Sequence, residues 1–195
     1  MPDKSYDRKA AFQLLQEYVK GESLLKHCIT VEAVMRHFAE LFHEEDVEKW
    51  TIIGLLHDID FEKYPDQHCR KTREILAPRH WPEEYIRAIE SHGYKLVNDV
   101  EPVATMEKIL YTVDELTGLI AATAILRPSQ SLLDLTVKSV KKKWKQKSFA
   151  VGVNREVIES GVEMLGMPLE DVIKETIAGM KPIAAEIGLK TELPL

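Results

Sequence analysis

His27, His57, Asp58 and Asp114 are side chains of the types that bind transition metals, and each sits on or at the end of an apolar helical stripe. His27 shares a face with Val31, Val34 and Phe38 at helical spacing. His57 and Asp58 close the apolar run TIIGLL, and Asp114 falls with Leu110, Thr117, Gly118 and Ala121. An ionised carboxylate facing a core is costly unless it is paired or bound to a cation. Two such aspartates and two histidines in one small domain are hard to satisfy by hydrogen bonds alone, and a divalent cation resolves the problem. Imidazole nitrogens with carboxylate oxygens suit manganese, iron, cobalt, nickel or zinc better than calcium, with magnesium also admissible. Without a cysteine ligand set, the pattern is that of a catalytic site with open water positions rather than a closed structural one.

His68 and His92 extend the constellation. His68 stands at the start of a predicted helix and His92 ends another, just before Gly93. From the loop side they can hold a second metal, with Asp58 as the bridge. Each residue also has a bland reading: a lone core histidine is commonly satisfied by a backbone carbonyl, and a His-Asp pair arises often by chance. Occurring together on apolar helical faces of one small domain, these residues point to a shared cation. His37, His43 and His80 read as surface residues.

These residues must be positioned by helices. Apolar periodicity predicts helices over residues 4–19, 24–43, 47–58, 67–76, 82–91, 103–124, 131–143, 154–165 and 168–187. Residues 59–67 read as a loop around Pro65, Arg127-Pro128-Ser129 as a break, and Gly188 as a final stop. No strand alternation and no internal repeat is present, so the fold class is all-α. One domain over 1–195 is expected, with a core at about 20–125 and 126–195 as a C-terminal helical extension packed on it.

Composition narrows the function classes. The 195 residues are 45% apolar and 30% charged, as in an ordinary globular protein. A net charge of −6 argues against nucleic acid as a partner, though a local basic patch or bound cation can still hold a small phosphorylated ligand. Cys28 and Cys69 form no Cys-x-x-Cys pair, which speaks against a disulfide framework or a zinc knuckle. The start MPDKSYDRKAAFQ has no apolar core of the signal-peptide kind, and no run reaches membrane-span length, so a cytoplasmic location is expected.

The order His, then His-Asp, then Asp, carried by LLKHCITVEAVMRHFA, IIGLLHDIDFEKYP and ILYTVDELTGLI, resembles the HD superfamily of metal-dependent phosphohydrolases. The resemblance covers about residues 20–125 and implies a helical bundle in which His27, His57, Asp58 and Asp114 ligate the first metal. His68 and His92 resemble the extra histidines of binuclear branches, which include bis-nucleoside tetraphosphatases and HD-GYP cyclic-dinucleotide phosphodiesterases. The latter pattern needs a tandem histidine and a Gly-Tyr-Pro signature, where this chain has Ser91-His92-Gly93-Tyr94.

The implied activity is hydrolysis of a phosphoester in a nucleotide or other small phosphorylated compound, with one or two divalent metal ions as cofactor. Asp58 would orient the attacking water, and Asp60 or His92 would handle protons. Of the six lysines in KSVKKKWKQK, most read as a solvated helix face. Lys143, Lys147 and Arg155 are candidate phosphate contacts, and Trp144 either stacks on a base or anchors its helix. Competing readings are a di-iron oxygenase of the same fold and a non-catalytic nucleotide-binding module. A homodimer is compatible with a small helical enzyme of this kind.

Overall fold

The computed structural model describes residues 6–191. Among them the chain forms nine α-helices and, in place of any strand ladder, a single isolated bridge between Tyr94 and Asn98. The helices are α1 (Arg8–Tyr18), α2 (Glu22–Leu41), α3 (Val47–Leu56), α4 (Lys71–Leu76) and α5 (Glu83–Ser91), followed by α6 (Thr105–Ile125), α7 (Val137–Trp144), α8 (Arg155–Leu165) and α9 (Leu169–Met180). The protein is thus all-α. Among the described residues no helix is long and apolar enough to cross a membrane.

Side-chain caps open several helices. Asp7 accepts from the amide of Ala10, Asp46 from that of Lys49, Thr136 from that of Ser139, and Asn154 from those of Glu156 and Val157. Glu107 reaches back to the amides of Val103 and Ala104 at 2.7 and 3.0 Å, fixing the start of α6. At the start of α2 the cap comes from a distant segment. The Glu62 carboxylate, four residues beyond Asp58, accepts from the amides of Lys20 and Gly21 at 2.8–3.1 Å. The turn that follows the His-Asp pair is therefore tied to the helix that carries His27.

α2 is the central element, packed against α3, α6 and α9, while α6 also carries α5, α7 and α8. The core includes the fully buried Val31, Val34, Met35, Phe38, Ile52, Ile53, Leu55, Leu56 and Ile59. Burying each large side chain of this kind stabilises the fold by about 1.5–3 kcal/mol. α2 and α3 approach closely at Gly54, where an added Cβ would stand 2.8 Å from Met35 Cγ and 3.0 Å from the Val31 carbonyl. That close contact sets His57, three residues on, beside the His27 turn of α2. The C-terminal helices pack directly on α2 and α6.

Several predicted boundaries move. The helix expected from residue 67 starts at Lys71, because Cys69 takes a left-handed backbone with φ 62°. The helix expected from 131 starts at Val137: Leu132 and Leu135 are buried from a turn, the Leu132 amide donates to the Leu189 carbonyl, and Thr136 is the true N-cap. The last helix ends at Met180 rather than 187, with Pro182 in a 3-10 segment over Lys181–Ile183. Residues 4 and 5 of the first predicted helix lie outside the described residues, and α1 begins at Arg8.

Candidate metal centre

His27 projects from α2, His57 and Asp58 follow the last residue of α3, and Asp114 projects from the middle of α6. His27 Nε2 lies 3.1 Å from His57 Nε2, 2.9 Å from Asp114 Oδ1 and 3.7 Å from Asp58 Oδ2. His57 Nε2 lies 3.3 Å from Asp114 Oδ1 and 3.5 Å from Asp58 Oδ2. Three elements thus bring four donor atoms to one point.

A second group forms beside it. His68 follows the 3-10 turn Pro65–Gln67, and His92 caps the C-terminus of α5. Their Nε2 atoms are 3.1 Å apart, and they stand 3.4 and 3.6 Å from Asp58 Oδ1. The two oxygens of Asp58 therefore face different sets of nitrogens.

The spacings fit cations. Around an ion with bonds of about 2.1 Å, neighbouring ligand atoms stand about 3.0 Å apart in an octahedron and about 3.4 Å apart in a tetrahedron. The outer ring nitrogens are fixed as metal-binding histidines require. His57 Nδ1 donates to the Gly54 carbonyl at 2.8 Å, and His92 Nδ1 donates to the Ile89 carbonyl at 2.5 Å. His68 Nδ1 stands 2.8 Å from Asp60 Oδ1. With those protons committed outward, lone pairs at Nε2 point to the shared centre. Two imidazolium N–H groups facing one another at 3.1 Å would repel, a conflict that a cation displacing their Nε2 protons would remove.

The electrostatics point the same way. Burial opposes protonation of His57, yet the Asp58 and Asp114 carboxylates outweigh it and lift its pKa to about 10. His68 is lifted to about 9 by Asp60 against the same burial cost, and His92 is raised by Cys69 and Asp58. Burial pushes Asp58 and Asp114 up, but the imidazoles around them hold both well below the ordinary carboxylate range. A pocket that draws protons this strongly attracts a divalent cation for the same reason.

The cluster opens into a cavity of about 400 Å3. Its walls combine His27, Asp58, His68, His92 and Asp114 with apolar Phe61, Leu96, Val97 and Val153. Glu115 and Gly118 of α6 also face it. Glu115 accepts from the Asn154 amide at 2.9 Å; burial and the neighbouring Asp114 raise its pKa to about 7.

The structure corrects several sequence expectations. Asp60 does not reach the cavity: it is fully buried and accepts from the Thr72 amide and hydroxyl as well as facing His68. Its carboxylate faces His68 and Thr72 rather than the cavity. Lys143 stands 4.9 Å from the Phe149 ring, and Arg155 donates to the carbonyls of Trp144, Gln146 and Phe149, so both hold the 145–150 turn together. Lys147 and Arg155 line, with Trp144 and Lys145, a cavity of about 890 Å3 that shares Gly152 and Val153 with the histidine–aspartate cavity. None of the three lines the histidine–aspartate cavity. Trp144 packs against the core and carries Arg155 over its ring at 5.9 Å, which is an anchoring role. His37 is half-buried rather than on the surface, 2.9 Å from Glu175, whereas His43 and His80 are exposed.

Two site residues escape the sequence reading. Glu115 directly follows Asp114, and Cys69 directly follows His68; adjacency is the signal that could have found them. Cys69 Sγ lies 3.5 Å from His92 Nε2, and it groups with His68 and His92 as donors close enough to share one ion. Burial raises the Cys69 thiol pKa, but His92 and His68 bring it down overall.

The family model of the HD domain matches residues 24–119, which span every helix from α2 through most of α6, so this part of the chain is an HD domain. HD domains form a superfamily of metal-dependent phosphohydrolases, and the clustered histidines and aspartates are consistent with divalent metal binding. No curated protein and no solved structure compared with the chain matches it.

Proposed function

We propose that this protein is a phosphohydrolase with two divalent transition-metal ions, acting on a phosphoester in a nucleotide or another small phosphorylated compound. The observation that carries the reading is Asp58, whose two oxygens face two separate sets of imidazole nitrogens. His27, His57 and Asp114 would complete the first position, and His68 and His92 the second.

When bound, such cations polarise a phosphoryl oxygen and bring the pKa of water toward neutrality. The chain's own residues supply the rest. The Gly54 and Ile89 carbonyls and Asp60 lock three imidazoles in the required tautomer and orientation. Phe61, Leu96, Val97 and Val153 give the organic part of a substrate an apolar wall. Glu115, held through one oxygen by the Asn154 amide, keeps the other available at the cavity to deliver a proton to the leaving group.

The test is a screen of nucleoside mono-, di- and triphosphates, cyclic nucleotides and simple phosphate esters with manganese, cobalt, zinc or magnesium added. Metal-dependent release of phosphate, suppressed by chelator and equal with and without oxygen, is expected. Oxygen consumption with iron and no hydrolysis would favour the oxygenase reading. Tight nucleotide binding without turnover would favour a sensor.

A further inference from the structure

We propose that Cys69 is a thiolate ligand of the second metal position, which makes that position a mixed His-Cys-Asp site distinct in metal preference from the first. The inference rests on the metal-centre reading above and adds a donor that the reading does not need.

The two cysteines of the chain are both buried, yet their surroundings differ. Cys28 is a core residue of α2. Cys69 instead packs its sulfur against imidazoles, 3.5 Å from His92 Nε2 and 3.9 Å from His92 Nδ1. Around an ion with metal–nitrogen bonds of about 2.1 Å and metal–sulfur bonds of about 2.3 Å, a tetrahedral nitrogen–sulfur edge is about 3.6 Å. The 3.5 Å separation from Nε2 is close to that value, and the 3.9 Å to Nδ1 sets the sulfur beside the ring, so sharing an ion requires the Cys69 side chain to rotate toward the Nε2 lone pair.

The backbone is arranged to bring the sulfur there. Consecutive side chains on extended or helical chain point in different directions, but the left-handed φ of 62° at Cys69 turns its side chain to the same cluster as His68. Opposite it, Gly93 supplies the room: a Cβ at that position would stand 2.6 Å from Cys69 Sγ. Any residue other than glycine after His92 would push the sulfur from its place. A conformation that L residues seldom adopt and a residue without a side chain thus meet at one sulfur atom, next to two imidazoles whose Nε2 atoms already face Asp58 Oδ1.

A thiolate changes the chemistry of the position. Soft sulfur favours zinc, cobalt or ferrous iron over magnesium and manganese, whereas the all-nitrogen-and-oxygen set of His27, His57, Asp58 and Asp114 accepts the harder ions. The two positions are therefore expected to fill with different ions when both kinds are offered.

The experiment is the absorption spectrum of the full-length protein loaded with two equivalents of cobalt(II), for the wild type, Cys69→Ser and Cys28→Ala. The expected result is a near-ultraviolet sulfur-to-cobalt charge-transfer band in the wild type and in Cys28→Ala that is lost in Cys69→Ser. Visible cobalt bands without the charge-transfer band, unchanged by Cys69→Ser, would overturn the thiolate assignment while leaving the metal centre standing. Failure to bind cobalt at all would overturn the metal-centre reading itself. Because Cys69→Ser can fail to fold, X-ray absorption on the zinc-loaded wild type gives an independent answer. A sulfur scatterer at about 2.3 Å supports the assignment, and a shell of nitrogen and oxygen alone refutes it.

Discussion

His27, His57 and Asp114 reach the candidate centre from α2, the end of α3 and the middle of α6, whereas His68, Cys69 and His92 reach it from turns and a helix terminus. The first set is held by helix-to-helix packing, where Gly54 lets α2 and α3 approach to contact distance. The second set is held by local polar ties: Asp60 to His68, the Ile89 carbonyl to His92, and the space left by Gly93. The difference teaches that one half of the candidate centre is fixed by the fold itself, and the other by a few hydrogen bonds that single substitutions can remove. Asp58 belongs to both halves.

The comparison makes unequal demands on each residue. His27→Ala removes a donor from the helix-borne half, and we expect loss of one metal equivalent with activity reduced below detection. His68→Ala should also remove one equivalent, but leave the first ion bound. Elemental analysis of both variants checks the pair, and His68→Ala protein that keeps two equivalents would break the distinction. Asp60→Asn leaves every proposed ligand in place but weakens the orientation of His68. Metal affinity of the second position should fall about 10–100-fold, read by competition with a chelating dye, while the first position is unchanged. The smallest effect belongs to the lysine face of α7. Lys142 is exposed and lies apart from the metal cavity, so Lys142→Ala should alter stability by less than about 0.5 kcal/mol. Its kcat/KM should stay within about twofold, and a larger drop would give that face a part in substrate capture.

The same contrast explains what was legible in the sequence. Helices α2 and α6 announce themselves through apolar periodicity, so the faces that His27 and Asp114 occupy could be read directly, while α3 is an unbroken buried run from Trp50 to Leu56 with His57 and Asp58 at its end. His68 and His92 could be named by type and place, but nothing periodic says where a turn aims its side chain. Cys69 was passed over because one cysteine without a Cys partner carries no motif, and its left-handed backbone leaves no mark in residue order. Asp60 was misread for a related reason. Its position beyond the His-Asp pair looks open in sequence, but tertiary packing buries it against Thr72. Lys143 and Arg155 carry the charges a phosphate would seek, yet they are spent on an aromatic ring and three carbonyls that only the folded turn brings near.

Asp58 offers the most direct test, because its two oxygens face the two donor sets. The measurement is metal content by elemental mass spectrometry on protein purified without chelator or nickel affinity resin, wild type against Asp58→Ala. Two equivalents of transition metal in the wild type, with both lost or greatly reduced in the variant, is the predicted result. Equal metal content in the two proteins would contradict the bridging role of Asp58 and the two-metal centre built on it.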